Sequence, residues 1–149
     1  MARASALSPR TIKLARTSNA IKEIPAYAIS IAIAEVNQGR LATINDVELG
    51  FVYNLANGNF IEAEKGKGCQ LNNEPLTPST NVQINKMTLG GFTKSGTSEA
   101  SKLVDRARRM RVLGSVVLEL SYVASGRYDA FLDLRGSRII DIAAGKLIL

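Results

Sequence analysis

The chain has 149 residues, 46% of them hydrophobic, 21% charged and 5% aromatic, with a formal net charge of +6, one cysteine and no histidine or tryptophan. That length suits one domain able to bury roughly 70% of its unfolded-state surface, and no run approaches the roughly 20 apolar residues of a membrane span. One cysteine excludes an internal disulfide and a cysteine-rich zinc cluster, and the lack of histidine excludes Ser-His-Asp triads, phosphohistidine chemistry and histidine-ligated zinc, so hydrolysis would need carboxylates and a metal. The expectation is a soluble protein of a reducing compartment, the cytoplasm.

The basic charge is uneven. Met1 to Arg16 holds Arg3, Arg10, Lys13 and Arg16 and no acid, which leaves 15 basic residues against 13 acidic ones elsewhere. A basic, Ser-containing start has the composition of an organelle transit peptide, and an arbitrary or misread start has the same look. Next, Ala26 to Val36 (AYAISIAIAEV) alternates apolar and β-branched residues and predicts a buried strand. Val47, Leu49, Phe51 and Tyr53 alternate along VELGFVY, and Asn57-Gly58 separates that run from Asn59 to Glu64, a β-hairpin pattern. Pro75 and Pro78 mark a loop, and Lys86 to Phe92 predicts a short strand. Ala100, Leu103, Val104, Ala107 and Met110 recur at helical steps. A brief strand at Arg111 to Leu113 follows, then a helix from about Ser115 to Ala124 capped by Ser125-Gly126, a strand from Tyr128 to Leu134, and a last helix opened by Asp141. Strands mixed with helices in this way predict a layered α/β (α+β) sandwich.

Three local patterns have plain readings. Lys65-Gly66-Lys67-Gly68 lacks both the P-loop spacing and a complete GxGxxG, and is read as a tight turn between strands. Cys69 could suggest a cysteine phosphatase, but Pro75 stands where the phosphate-gripping arginine would be, so it is read as a small buried hydrophobe. Arg106, Arg108, Arg109 and Arg111 could meet nucleic-acid phosphates; with few aromatics and a position toward a helix C-terminus, they are read as a solvated helix end. No nucleic-acid or membrane partner is expected.

The stretch Ser137 to Leu147, SRIIDIAAGKL, sets one carboxylate in an apolar run, where lodging a charge costs several kcal/mol unless something satisfies it. Asp141 could cap the helix or bind a metal. From Arg111 onward the sequence resembles the C-terminal signature of the inositol monophosphatase family of magnesium-dependent sugar phosphatases, with its D-x-A-A-G motif at Asp141 to Gly145. The likeness continues through Gly66-Lys67-Gly68-Cys69-Gln70-Leu71-Asn72, Phe51-Val52-Tyr53 and Thr17-Ser18-Asn19-Ala20-Ile21-Lys22-Glu23-Ile24-Pro25. It covers Thr17 to Leu149 and is most like the archaeal branch, known for both fructose-1,6-bisphosphatase and inositol monophosphatase activity.

The resemblance implies a sugar-phosphatase fold and Mg²⁺ ions that activate a water for in-line attack on phosphorus. It implies that Asp141 is a metal ligand, that Thr17 positions the attacking water, that Gly114, Ser115 and Asp133 meet the sugar, and that the protein pairs as a homodimer. Asp133 matches with one extra residue before Asp141. Ser115 could be the N-cap of its helix, a substrate contact, or both.

The chain also departs from the pattern. Thr17 should end a D-P-x-D-G-T motif, but the six positions read Ile12-Lys13-Leu14-Ala15-Arg16-Thr17. Both metal-binding aspartates are replaced, and Lys13 and Arg16 put positive charge where the family gathers negative charge. Residues 1–16 are therefore expected to be a basic segment outside the family match, and residues 17–149 a partial domain, truncated on its N-terminal side. Two function classes follow: an incomplete piece of a phosphomonoesterase of fructose 1,6-bisphosphate or inositol 1-phosphate, inactive as it stands, or a non-catalytic pseudoenzyme binding a sugar phosphate or an acidic partner.

Overall fold

A computed structural model describes residues 12–13, 18–36, 40–92 and 98–149. The first half builds a six-stranded antiparallel sheet whose spatial order follows the chain: β1 (Ile12–Lys13), β2 (Ala28–Ala34), β3 (Val47–Asn54), β4 (Phe60–Glu64), β5 (Gly68–Leu71) and β6 (Glu74–Pro75). A short helix, α1 (Ser18–Ile21), joins β1 to β2. The second half alternates strand and helix: β7 (Thr88–Phe92), α2 (Ser98–Arg106), β8 (Arg109–Arg111), α3 (Val116–Ala124), β9 (Ala130–Asp133) and α4 (Ile139–Ile148). Its three strands form a parallel sheet in the order β8-β7-β9. Parallel neighbours need a crossover, which the intervening helices supply.

Strand alternation decides where the core lies. Ala28, Val52, Ile61 and Ala63 point to one face of the large sheet and are buried with Val117, Leu118, Ala124, Ala144 and Ile148 of α3 and α4. The opposite face carries Ile29, Ile31, Ile33, Leu49, Phe51, Tyr53 and Phe60; Phe51 stacks on Phe60 with ring centroids 6.0 Å apart, and Tyr53 and Phe60 are exposed. Helix α3 touches β3 of one sheet and β7 and β9 of the other. It is hydrophobic nearly all round because it is buried on more than one side; Val117, Leu118, Glu119, Leu120, Ser121 and Ala124 are all buried. The α/β layered architecture expected from the pattern is the one observed.

Boundaries differ where tertiary pairing outweighs local periodicity. The helix expected to run to Met110 stops at Arg106, because Arg109, Met110 and Arg111 pair in register with Thr88, Leu89 and Gly90; this strand replaces the one expected at Arg111 to Leu113. The last helix begins at Ile139 with Arg138 at its N-cap, so Asp141 lies in its first turn and does not open it. The strand expected from Tyr128 to Leu134 narrows to β9, since Asp129 turns back to bond Thr88. Cys69 is only half-buried, packed at the edge of the core, where burial raises its thiol pKa. Lys65 to Lys67 form the expected turn, between β4 and β5. Arg106, Arg108, Arg109 and Arg111 are all exposed.

Candidate functional site

The site grows from the turn that feeds α3. Gly114 has φ +80°, a left-handed conformation that glycine adopts without the steric cost borne by other residues. Ser115 occupies the N-cap in an extended conformation and is 3% exposed, yet its hydroxyl makes no capping bond. The turn is gripped from two directions. On one side Asn19 of α1 donates through Nδ2 to the Leu113 carbonyl at 2.7 Å and to the Ala26 carbonyl at 2.8 Å. On the other, Oε1 of Glu119 accepts the Leu113 amide at 2.8 Å and the Gly114 amide at 3.3 Å.

Glu119 is fully buried, and its Oε2 has no hydrogen-bond partner among the described residues. Burial pushes its pKa up; the Leu113 and Gly114 amides, the charge of Arg135 and the Gly91 amide pull it back only in part. Strand β7 comes close at Gly90, where a Cβ would lie 2.4 Å from the Tyr128 ring and 3.3 Å from Glu119 Oε2.

Asp133 ends β9, opposite Phe92 of β7. Its Oδ1 accepts the Arg135 amide at 2.9 Å, and its Oδ2 accepts the Ser137 hydroxyl. Burial alone would raise the pKa of this carboxyl, but Ser137 and Arg135 together hold it below the ordinary 3.8. The Arg135 guanidinium lies 3.2 Å from the centroid of the Phe92 ring, a cation–π contact.

Asp141 stands apart from this pair of turns. Arg138 engages both of its carboxylate oxygens, Nε to Oδ2 at 2.8 Å and Nη2 to Oδ1 at 3.2 Å. A carboxylate in the first turn of a helix is favoured by the helix dipole, which gives Asp141 a structural role beside its motif. Among the described residues no three His, Cys, Asp or Glu side chains converge on a point where a metal ion could sit. Magnesium takes an octahedral oxygen shell and dehydrates reluctantly, so one carboxylate already held by an arginine does not fit it. Thr17 lies outside the described residues.

Glu119 and Asn19 were not singled out by the sequence reading. Glu119 had a signal of the kind that drew attention to Asp141, a lone acid inside the apolar run VVLELSYVA. Asn19 lies in the Thr17 to Pro25 stretch of the family likeness, but nothing in the chain ties it to its partners Ala26 and Leu113, 7 and 94 residues away.

The model of the inositol monophosphatase family matches residues 17–149. The chain belongs to that family. It is 48% identical over 136 residues to a fructose-1,6-bisphosphatase/inositol-1-monophosphatase of Methanothermobacter thermautotrophicus, covering 89% of this chain and 49% of the relative. It is 33% identical over 148 residues to a bifunctional NADP phosphatase/NAD kinase of Methanococcus maripaludis, covering 89% of this chain and 26% of that protein. A structure from Pyrococcus horikoshii, described as a hypothetical protein with similarities for inositol-1 monophosphatase, superposes with a TM-score of 0.74 at 34% identity, over 87% of this chain and 48% of its own. The chain therefore spans half or less of the length of these relatives. The match to the inositol monophosphatase family takes in the Gly114–Ser115 turn, Asp133 and Asp141. No helix among the described residues is long and apolar enough to cross a membrane.

Proposed function

We propose that this chain carries the sugar-side portion of a phosphomonoesterase of sugar or inositol phosphates, and that it binds such an ester without hydrolysing it unaided. The observation that carries this reading is the Gly114–Ser115 turn at the start of α3, gripped by Asn19 and Glu119 in a chain of the inositol monophosphatase family. Fructose 1,6-bisphosphate and inositol 1-phosphate are the first candidates, because the relative from Methanothermobacter thermautotrophicus is named for both activities. Gly114 and Ser115 would meet the alcohol portion of the ester. Asp133 would bind a hydroxyl by exchanging its bond with Ser137.

Magnesium belongs to this reading as an expectation drawn from the family, and Asp141 would have to release Arg138 to take part as a ligand. Thr17 keeps its proposed role in positioning the attacking water. A homodimer in the cytoplasm completes the reading; the exposed apolar sheet face around Phe51, Tyr53 and Phe60 supports association.

The test joins ¹⁵N-detected titration of the chain with each ester to an assay of Mg²⁺-dependent phosphate release. Saturable shifts at Gly114 and Ser115 with no phosphate release are expected. Absence of binding to both esters overturns the reading, and turnover by the chain alone overturns its non-catalytic part.

A further inference from the structure

The geometry points to Glu119 as the positioning residue of the Leu113–Ser115 turn: its buried carboxyl group holds the one backbone conformation in which that turn can receive the alcohol side of the ester. This assignment rests on the proposed function of the turn and adds a residue to it.

A fully buried acid in the middle of an apolar helix is not explained by packing, since a leucine of similar volume would fill the space without the cost of desolvating a carboxyl group. Satisfying the part-buried amides of Leu113 and Gly114 accounts for an acceptor at this place. What the carboxyl group provides is direction: one oxygen receives two successive amides, at 2.8 Å and 3.3 Å, and fixes both peptide planes. Asn19 holds the intervening Leu113 carbonyl from the other side at 2.7 Å. With both polar groups of Leu113 and the amide of Gly114 assigned, the left-handed φ of Gly114 is determined rather than sampled.

The charge of Arg135 reaches the Glu119 carboxyl group, while the Arg135 amide is held by Asp133 and its guanidinium by the Phe92 ring. Oε2 lies on the β7 side, 3.3 Å from where a Cβ on Gly90 would stand; the Gly91 amide of that strand also favours the ionised carboxyl group, though not in geometry that makes a hydrogen bond.

The experiment compares the parent chain with Glu119→Gln, which keeps a carbonyl acceptor, and Glu119→Leu, which removes it. Amide shifts of Leu113 and Gly114 and the Kd for fructose 1,6-bisphosphate are read well below each variant's melting temperature. E119Q is expected to keep both shifts and a Kd within about threefold of the parent, and E119L to move both shifts and weaken binding by about tenfold or more, the scale of one lost buried hydrogen bond. Rescue by glutamine separates positioning from general destabilisation. Unchanged shifts and Kd in E119L, or loss of binding in E119Q, overturn the assignment. If E119L does not fold, hydrogen exchange in the parent decides with E119Q: protected Leu113 and Gly114 amides support the anchor, and free exchange overturns it. A parent chain that binds neither ester overturns the functional reading of the turn, while the amide shifts still judge the anchor.

Discussion

Asp129 and Thr88 form a reciprocal pair: the Thr88 amide donates to Asp129 Oδ2 at 2.7 Å, and the Asp129 amide donates to the Thr88 carbonyl at 2.9 Å. The pair ties the start of β9 to the start of β7, and the Ser79 hydroxyl adds a third bond, to Oδ1 at 2.5 Å. Burial by itself would raise the pKa of this carboxyl, yet Ser79, the Thr88 amide and Asn81 together bring it below the ordinary 3.8. The unfolded chain then takes up this proton at a higher pH than the folded one. The stability Asp129 contributes is therefore complete above the unfolded value and is lost as pH falls through the folded one.

Asp129→Asn should thus lower stability near neutral pH by about 1.5–3 kcal/mol, the range for hydrogen bonds to a charged group, and flatten the acid limb below about pH 4. Denaturant unfolding across that range checks both. Equal stability of parent and variant at neutral pH would show that the carboxylate's charge adds nothing to its bonds with Ser79 and the Thr88 amide.

For Glu119 the sign is opposite. Its folded pKa is raised above the ordinary 4.5, first by burial and against the pull of the Leu113 and Gly114 amides and Arg135. Between the unfolded and folded values the folded state binds more protons, so stability falls as pH rises through that window. Glu119→Gln cannot ionise and escapes this loss. The stability of E119Q relative to the parent should rise as pH increases upward from about 4.5, and a difference that is flat with pH contradicts a buried, reluctant acid.

The parts of this fold that could be read from the sequence are those in which a segment's own pattern and its tertiary surroundings agree. The alternation of Val47 to Tyr53 with the Asn57-Gly58 turn predicts the hairpin of β3 and β4, and the apolar run from Val116 predicts α3. Arg109 to Arg111 shows the reverse case: three residues compatible with a helix become a strand because β7 offers them a parallel ladder. The candidate site could be named in the sequence only through the family resemblance, which carries a D-x-A-A-G motif at Asp141 and implies roles for Gly114, Ser115 and Asp133. Its supports could not, since Asn19 acts across 94 residues on a backbone carbonyl and leaves no periodicity or spacing in the chain.

Gly114→Ala tests the turn directly. A side chain at φ +80° is disfavoured by about 1–2 kcal/mol, and the added Cβ would lie 3.0 Å from Asn19 Nδ2. The variant should melt lower by several degrees and bind either ester more weakly. In an Asn19→Ala background the contact part of the penalty disappears and the backbone part stays, so a double-mutant cycle separates the two. An unchanged melting temperature in the single variant would mean that this backbone conformation is not held in solution.

The pairing of Arg138 with Asp141 leads to a prediction about magnesium. Both carboxylate oxygens are held by one guanidinium, and among the described residues no second or third acidic ligand converges on Asp141. A single carboxylate cannot replace enough of the hydration shell of Mg²⁺ to retain it, because this ion keeps most of its waters and demands near-octahedral oxygen geometry. Calorimetric titration of the chain should therefore show no saturable Mg²⁺ uptake and no difference between the parent and Asp141→Asn. Arg138→Ala frees the carboxylate without adding a ligand, and should give the same result. Stoichiometric micromolar uptake that Asp141→Asn abolishes would instead mean that Asp141 leaves Arg138 for the metal, with the remaining donors contributed from outside the described residues.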